Sequence, residues 1–457
     1  MTSAIPHLKL SKFNIVARPD AHRVILNNTL TGAVAVIPAQ DLDLVCASLQ
    51  GPCDDPRVTS LIAEMQGGGF LVPEVLDECE RVAYLSNSMI FRNDRLELRL
   101  LPTEQCNLRC SYCYETFAKG AMSPEIVRRL SLLLSKRGPT LRHLGLHWFG
   151  GEPLLACDVI RELSAVALSL KERHGLVYEA SITTNGVLLT PGVIADLLAH
   201  GITFFQVTID GLGAENDRRR RFPDGSGTFA ILLDNVKASR HLTGNFHLAI
   251  RMNFDRDNID SCRDLVSLVS TVTDGDPRYS VFFRAIGDYG NTSSKMSDLH
   301  LAVGAERLDT SLQLGEHAHA CGMQVSGGFV PPRLNLLMCY AALPYSFVIG
   351  SDGTVYKCTV HFTSDMNVVG QIDQEGDITL DVHKMSRWVG SKVLGDRRCQ
   401  ACALLASCQR AACPAANVGC GERRCALPVR SVKKELCALL KNNERMPEST
   451  FQKESTS

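Results

Sequence analysis

CNLRCSYCYE, Cys106–Glu115, sets three cysteines within eight positions, with three residues between the first two and two between the last. A structural zinc site uses four protein ligands and a disulfide uses two. A tight group of three therefore either borrows a distant fourth ligand or leaves a coordination position open. The stretch follows directly on LELRLLPT, residues 96–103, whose apolar alternation reads as a β-strand. The triplet thus belongs in a loop at the carboxyl end of a strand, and the fold depends on how often that arrangement recurs.

It recurs along the next two hundred residues. HLGLHWFG (143–150), YEASITTNG (178–186), TFFQVTIDG (203–211), FHLAIRMNF (246–254) and YSVFFRAIG (279–287) are apolar or alternating. Each is followed by a loop and a stretch of helical spacing, such as SPEIVRRLSLLLSKRG (123–138) or TPGVIADLLAHG (190–201). Six strand-helix units predict an α/β fold, a parallel sheet curling into a partial (β/α)6 TIM-like barrel over 91–300. Such folds collect reactive groups in the loops at the carboxyl ends of the strands. Cys106, Gly150, Asn185, Asp210 and Asn253 all fall there.

The flanks differ in character. Residues 1–90 carry short alternating strands, KFNIVARP, HRVILNN and GAVAVIP, with a hairpin signal from Asn28 to Gly32. Two helical segments (41–51 and 56–69) and FLVPE follow, an order that suits a small winged-helix-like binding module. Past 300 the regular pattern fades and cysteines dominate, so 301–445 is expected to be organised by bound metal. Residues 446–457 read as a polar tail.

Charge and composition exclude several classes. Lys+Arg number 48 and Asp+Glu 49, and no long basic block occurs, which argues against a nucleic-acid or membrane-surface partner. Arg218–Arg221 is the exception and reads as a solvated helix start. No apolar run reaches the ~18–20 residues of a membrane span and the N-terminus lacks a signal-peptide core, so a cytoplasmic protein is expected. In that compartment the 18 cysteines point to metal binding and not to disulfides. Cys46, Cys53, Cys79, Cys157 and Cys262 are scattered singly and read as small buried residues. His317, His319 and Cys321 have chelating spacing but fit an exposed helical stretch.

Cys106, Cys110 and Cys113, as CxxxCxxC after a first barrel strand, resemble the signature of radical S-adenosylmethionine (SAM) enzymes. The resemblance implies a [4Fe-4S] cluster held by these three thiolates with one iron open to SAM, and Tyr112 packed near the adenine. GGEP, Gly150–Pro153, matches the family's second motif, in which Gly150, Gly151 and Glu152 hold the amino group of SAM. TTNG places Asn185 at the methionine moiety. VTIDG places Thr208 and Asp210, and RMNFDRDN places Arg251 and Asn253, around ribose and substrate.

The C-terminal cysteines carry a second resemblance. Cys339, then Gly353 to Cys358 as GxxxxC, then Cys399, Cys402, Cys408 and Cys413, and a late Cys437, resemble the SPASM extension of peptide-modifying radical SAM enzymes. This implies two auxiliary Fe-S clusters. Two departures stand out: four residues separate Cys408 from Cys413 where three are expected, and the additional cysteine after Cys339 is missing. Cys321, Cys420 and Cys425 are candidates for the open ligand position. A zinc-ribbon pair is the alternative for this region.

Residues 1–90 resemble the leader-recognition domain of peptide maturases. Together the resemblances imply an enzyme that reductively cleaves SAM to a 5'-deoxyadenosyl radical and oxidatively modifies or cross-links a ribosomally made precursor peptide. Its partners would be a leader-bearing precursor and a flavodoxin- or ferredoxin-type reductant. Oxidation of a Cys or Ser to formylglycine by a sulfatase maturase is the alternative. Thr359 counts against it, because those enzymes place an Asp after the GxxxxC cysteine. A non-catalytic Fe-S electron carrier has no need of an open iron.

Overall fold

The computed structural model describes residues 7–51, 55–287, 299–389, 396–409, 413–418, 425 and 428–443. The chain forms two compact units that are not sequential blocks. One comprises residues 1–91, 329–342 and 390–457, the other 92–328 and 343–389.

The first unit opens with strands β1 (Leu8–Leu10), β2 (Asn14–Ala17), β3 (Arg23–Asn28) and β4 (Val34–Pro38). Helices α1 (Ala39–Ser48) and α2 (Pro56–Gly67), strand β5 (Leu71–Pro73) and helix α3 (Glu78–Ile90) follow. β2, β3 and β4 form an antiparallel sheet in that order, and β1 pairs with β5. Val24 and Leu26 of β3 pack on Val45 of α1 and Ile62 of α2. The Asp55 side chain caps α2 and Asp77 caps α3, each accepting a backbone N–H of the first turn.

The second unit holds β6 (Arg95–Leu100), α4 (Pro124–Arg137), β7 (His143–Trp148), α5 (Cys157–His174), β8 (Val177–Thr184) and α6 (Pro191–Ala199). β9 (Ile202–Thr208), α7 (Gly213–Arg219), α8 (Phe229–Ser239), β10 (His247–Phe254), α9 (Ile259–Thr273), β11 (Tyr279–Ala285), α10 (Ala305–Ala320) and β12 (Gln324–Val325) complete the run. Strands β6 to β11 lie side by side in sequence order and all are parallel. This singly wound order is that of a partial barrel, as the alternation of strands and helices predicts.

Strand periodicity divides the sheet's two faces. Leu96, Leu98, Leu100, Leu144, Leu146 and Trp148 fall on one face and are buried, as are Leu130 and Leu134 of α4 and Leu163 and Ala167 of α5. Full burial of each such side chain stabilises by about 2 kcal/mol. The opposite face carries Glu97, Arg99, His147, Ser181, Gln206, Thr208, Arg251 and Asn253, and is the polar lining of the barrel. Ser123 caps α4 by accepting from the Ile126 N–H, and Lys136 and Arg137 end it, so the loop ahead of α4 leads into a fixed helix start.

Past residue 300 the expected metal-organised region is divided. β13 (Ser346–Ile349) joins the barrel sheet in parallel beside β6, and β14 (Thr354–Tyr356), β15 (Val368–Ile372) and β16 (Ile378–Leu380) extend it antiparallel. α11 (Val382–Val389) packs on β15. The short helices α12 (Arg397–Gln400), α13 (Leu405–Cys408) and α14 (Ala415–Val418) and the longer α15 (Val429–Asn443) belong to the first unit. There Leu404, Val432 and Leu436 pack on Ile15, Ala17 and Ile25.

Of the scattered cysteines, only Cys262 is fully buried; Cys46, Cys79 and Cys157 are half-buried, and Cys53 lies outside the described residues. The expectation that all five are buried therefore fails for three. Two of those three stand on amphipathic helices, α1 and α3, and Cys157 opens α5. His317 and His319 end α10, with Cys321 capping it; the stretch is helical as expected, but only His319 is exposed, while His317 and Cys321 are half-buried.

Candidate active site

The cysteine triplet lies in the loop after β6. The Gln105 amide closes that loop by donating to the carbonyls of Phe117 (2.6 Å) and Lys119 (2.9 Å). The Cys106 sulfur accepts from the Leu108 N–H (3.4 Å) and from Nδ2 of Asn185 (3.7 Å), an arrangement that suits a thiolate. Asn185 also donates to Oδ1 of Asn107 at 2.7 Å, so the tip of β8 grips the loop after β6.

Gly150 and Gly151 permit this proximity. A Cβ at Gly151 would lie 2.3 Å from the Gln105 carbonyl, and one at Gly150 would lie 2.5 Å from the Thr103 carbonyl. Gly150 also has φ of +123°, which a side chain rarely tolerates. The glycines thus seat the cysteine loop itself. Glu152 is fully buried, and its carboxylate accepts from the N–H groups of Leu154 (3.0 Å) and Asn185 (2.7 Å) and from the Thr184 hydroxyl (2.7 Å). Burial pushes its carboxyl up, and these three bonds offset only part of that rise. In this structure Glu152 is a brace that fixes Asn185.

Tyr112, Asp210 and Asn253 meet. The Tyr112 hydroxyl donates to Asp210, accepts from Asn253 Nδ2 at 3.0 Å and from Arg220 Nη1 at 2.7 Å. The Asn253 N–H donates to Asp210 Oδ1 (2.7 Å), and Arg251 Nε donates to Asn253 Oδ1 (2.8 Å). Thr208 is buried at the end of β9, in register with Arg251. Asn258 donates to the carbonyls of Asp210 and Asn253, a polar clamp that no sequence signal singled out.

The run Arg218–Arg221 is not a solvated helix start. Arg218 is exposed, but Arg219 and Arg220 are buried at the end of α7. Arg219 forms a two-bond pair with Asp255, both distances 2.9 Å, while Arg220 reaches Tyr112 and stands 3.8 Å from Asp210. Backbone N–H groups of Arg109 and Ser111 donate to the carbonyls of Arg221 (2.8 Å) and Arg219 (2.9 Å). The Asp217 and Asn216 side chains fold the following loop back, which buries the run.

The donor set fits an iron-sulfur cluster. Burial pushes the thiols up, Cys106 to about 11 and Cys113 to about 12, so thiolates there need a nearby positive charge, which iron supplies. Two buried polar atoms at the loop, Arg220 Nε and Glu115 Oε1, have no hydrogen-bond partner in the structure, as expected of groups that await a bound molecule.

The C-terminal cysteines divide between the units. In the first, Cys402, Cys408 and Cys437 pack about Leu404, Leu436 and Val432, and the buried Cys399 sits in α12, one turn before Cys402. Cys339 is half-buried in the same unit, and Cys413 and Cys425 are exposed. In the second, Cys358 is buried after β14. Asn367 clamps it, accepting the Lys357 and Cys358 N–H groups and donating to the Cys358 carbonyl. Cys321 faces His317 (3.6 Å) and Ser267 (3.7 Å), while Cys420 lies outside the described residues. Among the described residues no three His, Cys, Asp or Glu side chains close on a single metal-ion position.

A partial barrel with three cysteines in the loop after its first strand is the arrangement of a radical SAM domain, a domain type whose cofactors are a [4Fe-4S] cluster and SAM. Residues 100–269 match the radical SAM superfamily, so the chain carries that domain. A curated GTP 3',8-cyclase of Paenarthrobacter nicotinovorans is 34% identical over 122 residues, 26% of this chain and 33% of that protein. The chain thus spans about a third of that relative. Among solved structures, anSMEcpe with bound AdoMet and Cp18Cys peptide superposes with a TM-score of 0.56 at 17% identity, covering 77% of this chain and all of that one. SuiB of Streptococcus suis bound to S-adenosylmethionine gives 0.50 at 14% identity over 88% of this chain and 94% of that one. These two likenesses are of fold. No helix among the described residues is long and apolar enough to cross a membrane.

Proposed function

We propose that the chain is a cytoplasmic radical SAM/SPASM maturase that oxidatively modifies or cross-links side chains of a leader-bearing precursor peptide. When bound and reduced, the cluster supplies the electron that splits SAM to methionine and a 5'-deoxyadenosyl radical. The chain's own residues do the rest. Asn185 and the Tyr112–Asp210–Asn253 group orient the cofactor, and Arg251 offers a guanidinium to a substrate carboxylate. The polar barrel lining receives the side chain to be modified. Cys339, Cys358, Cys399, Cys402, Cys408, Cys413 and Cys437 supply ligands of two auxiliary clusters, which take the electron that an oxidised product must lose. A flavodoxin- or ferredoxin-type protein is the reductant.

The observation that carries the peptide reading is the outer edge of β4. Among the described residues this strand pairs only with β3, and Val34 and Val36 stand 39% and 40% exposed along it. An uncovered edge with exposed β-branched residues suits strand addition by an extended peptide. The alternative class, formylglycine formation, shares the barrel but requires a Cys or Ser target. The test is to incubate the reconstituted enzyme, SAM and reductant with the products of any short reading frames found beside its gene. Mass spectrometry should show a product lacking two hydrogens that does not react with a hydrazide probe for aldehydes. A formylglycine product, or modification only of a small molecule such as a nucleotide, overturns the reading.

A further inference from the structure

Arg220 has a place that the SAM-site residues do not explain. The hydrogen bonds Arg109 N–H to Arg221 carbonyl and Ser111 N–H to Arg219 carbonyl run antiparallel, so Cys110 and Arg220 stand opposite each other between them. Arg220 is 5% exposed. Its Nη1 is used by Tyr112, and its Nε is buried without a hydrogen-bond partner. A guanidinium stays charged at every working pH, and leaving one N–H of it buried and unmet is costly. The nearest carboxylate, Asp210, is engaged by Tyr112 and by the Asn253 N–H. The Glu152 carboxylate also feels this charge but is met by three donors of its own, so the cluster that the three thiolates would hold is the remaining anion.

We infer that Arg220 is the charge partner of the cluster held by Cys106, Cys110 and Cys113, and that it sets how readily that cluster accepts an electron. The inference rests on the assignment of that cluster. A cubane bound by three thiolates is anionic and becomes more so on reduction, so a fixed cation in the low-dielectric pocket favours the reduced form. Arg220 is a positioning and charge-setting residue and need not touch the substrate.

The test uses full-length, anaerobically reconstituted protein without any peptide. Electron paramagnetic resonance is followed during a redox titration, reading only the signal that changes when SAM is added. Arg220→Gln should hold the wild-type amount of iron yet show at least a tenfold lower reduced-to-oxidised ratio at a fixed potential, 59 mV for a one-electron couple. Arg220→Lys should recover most of the loss. Arg218→Gln, at the exposed neighbour, should leave the titration unchanged. Full iron with an unmoved midpoint in Arg220→Gln overturns the inference. If Arg220→Gln loses iron, the lysine variant decides: retention of iron and potential supports the charge, and loss in both assigns Arg220 to packing. Should the Cys106/Cys110/Cys113 triple variant keep the SAM-responsive signal, the cluster assignment itself is wrong.

Discussion

The buried carboxylate of Glu152 accepts the backbone N–H of Asn185 at 2.7 Å, and Asn185 in turn points its amide at Cys106, 3.7 Å from the sulfur. Through this relay the end of β7 fixes the end of β8, and both fix the loop after β6. The chemistry of the GGEP stretch here is therefore alignment of the cysteine loop with its neighbours.

Glu152→Gln tests the relay. An amide at this position retains one acceptor oxygen for three donors and places an N–H against at least one of them. SAM affinity should fall about tenfold, about 1.4 kcal/mol, while the iron content stays. The dependence of 5'-deoxyadenosine release on SAM concentration reads this out. An unchanged half-saturation value refutes the relay.

The cysteine triplet makes the sharpest forecast. Replacing Cys106, Cys110 and Cys113 with Ala should remove about four irons and abolish release of 5'-deoxyadenosine, since among the described residues no other thiol set borders the Asn185 and Asp210 side chains. Iron and product analysis of the triple variant checks both. Persistent cleavage of SAM would place the reaction elsewhere.

A second cluster is expected on Cys402, Cys408 and Cys437, which pack about Leu404, together with Cys399 one turn before Cys402. Cys402→Ser with Cys408→Ser should lower the iron by about four atoms per chain and leave substrate-free SAM cleavage intact, because that cleavage uses the loop after β6. Zinc found in place of iron at these positions would support the zinc-ribbon reading.

Glu97 supplies a pH forecast. Burial raises its carboxyl, but the hydrogen bond and charge of His147, together with Arg95, prevail and leave it at about 2. The His147 Nε2 lies 2.8 Å from it, and Gly145 leaves the room, since a Cβ there would stand 2.1 Å from the carboxylate. A carboxylate held below its unfolded value of 4.5 contributes stability that is present above that pH. That share disappears as pH falls from about 4.5 toward 2. Glu97→Gln should lower the urea midpoint at pH 7, and the gap to wild type should shrink between pH 5 and pH 3. A gap independent of pH would show that packing, and not charge, is what Glu97 provides.

The barrel was legible because its strands alternate with helices, and β6 to β11 appear where the apolar runs stand. Tyr112, Asp210 and Asn253 were legible because each ends or follows a strand, where parallel folds expose their chemistry. Arg220 was not. Four consecutive arginines read as surface charge, and only the return of the chain through Asn216 and Asp217 buries two of them. The C-terminal division was equally hidden: β13 has the composition of any short strand, and nothing local says that it pairs with β6, some 250 residues earlier in the chain.

That division also decides how the N-terminal module must be tested. Ile15, Ala17 and Ile25 share a core with Leu404, Val432 and Leu436, so removing residues 1–90 would strip apolar surface from the segment that carries Cys402, Cys408 and Cys437. Loss of a cluster would then be confused with loss of peptide binding. Substitutions on the uncovered edge avoid this. Val34→Glu with Val36→Glu changes two half-exposed side chains, costs little core packing, and sets like charges along the edge that an incoming strand must join. Affinity for the leader peptide, measured by fluorescence anisotropy, should fall at least tenfold. Iron content and peptide-free SAM cleavage should match wild type, since neither depends on β4. If the double variant binds and modifies its peptide as wild type does, β4 is not where the leader docks.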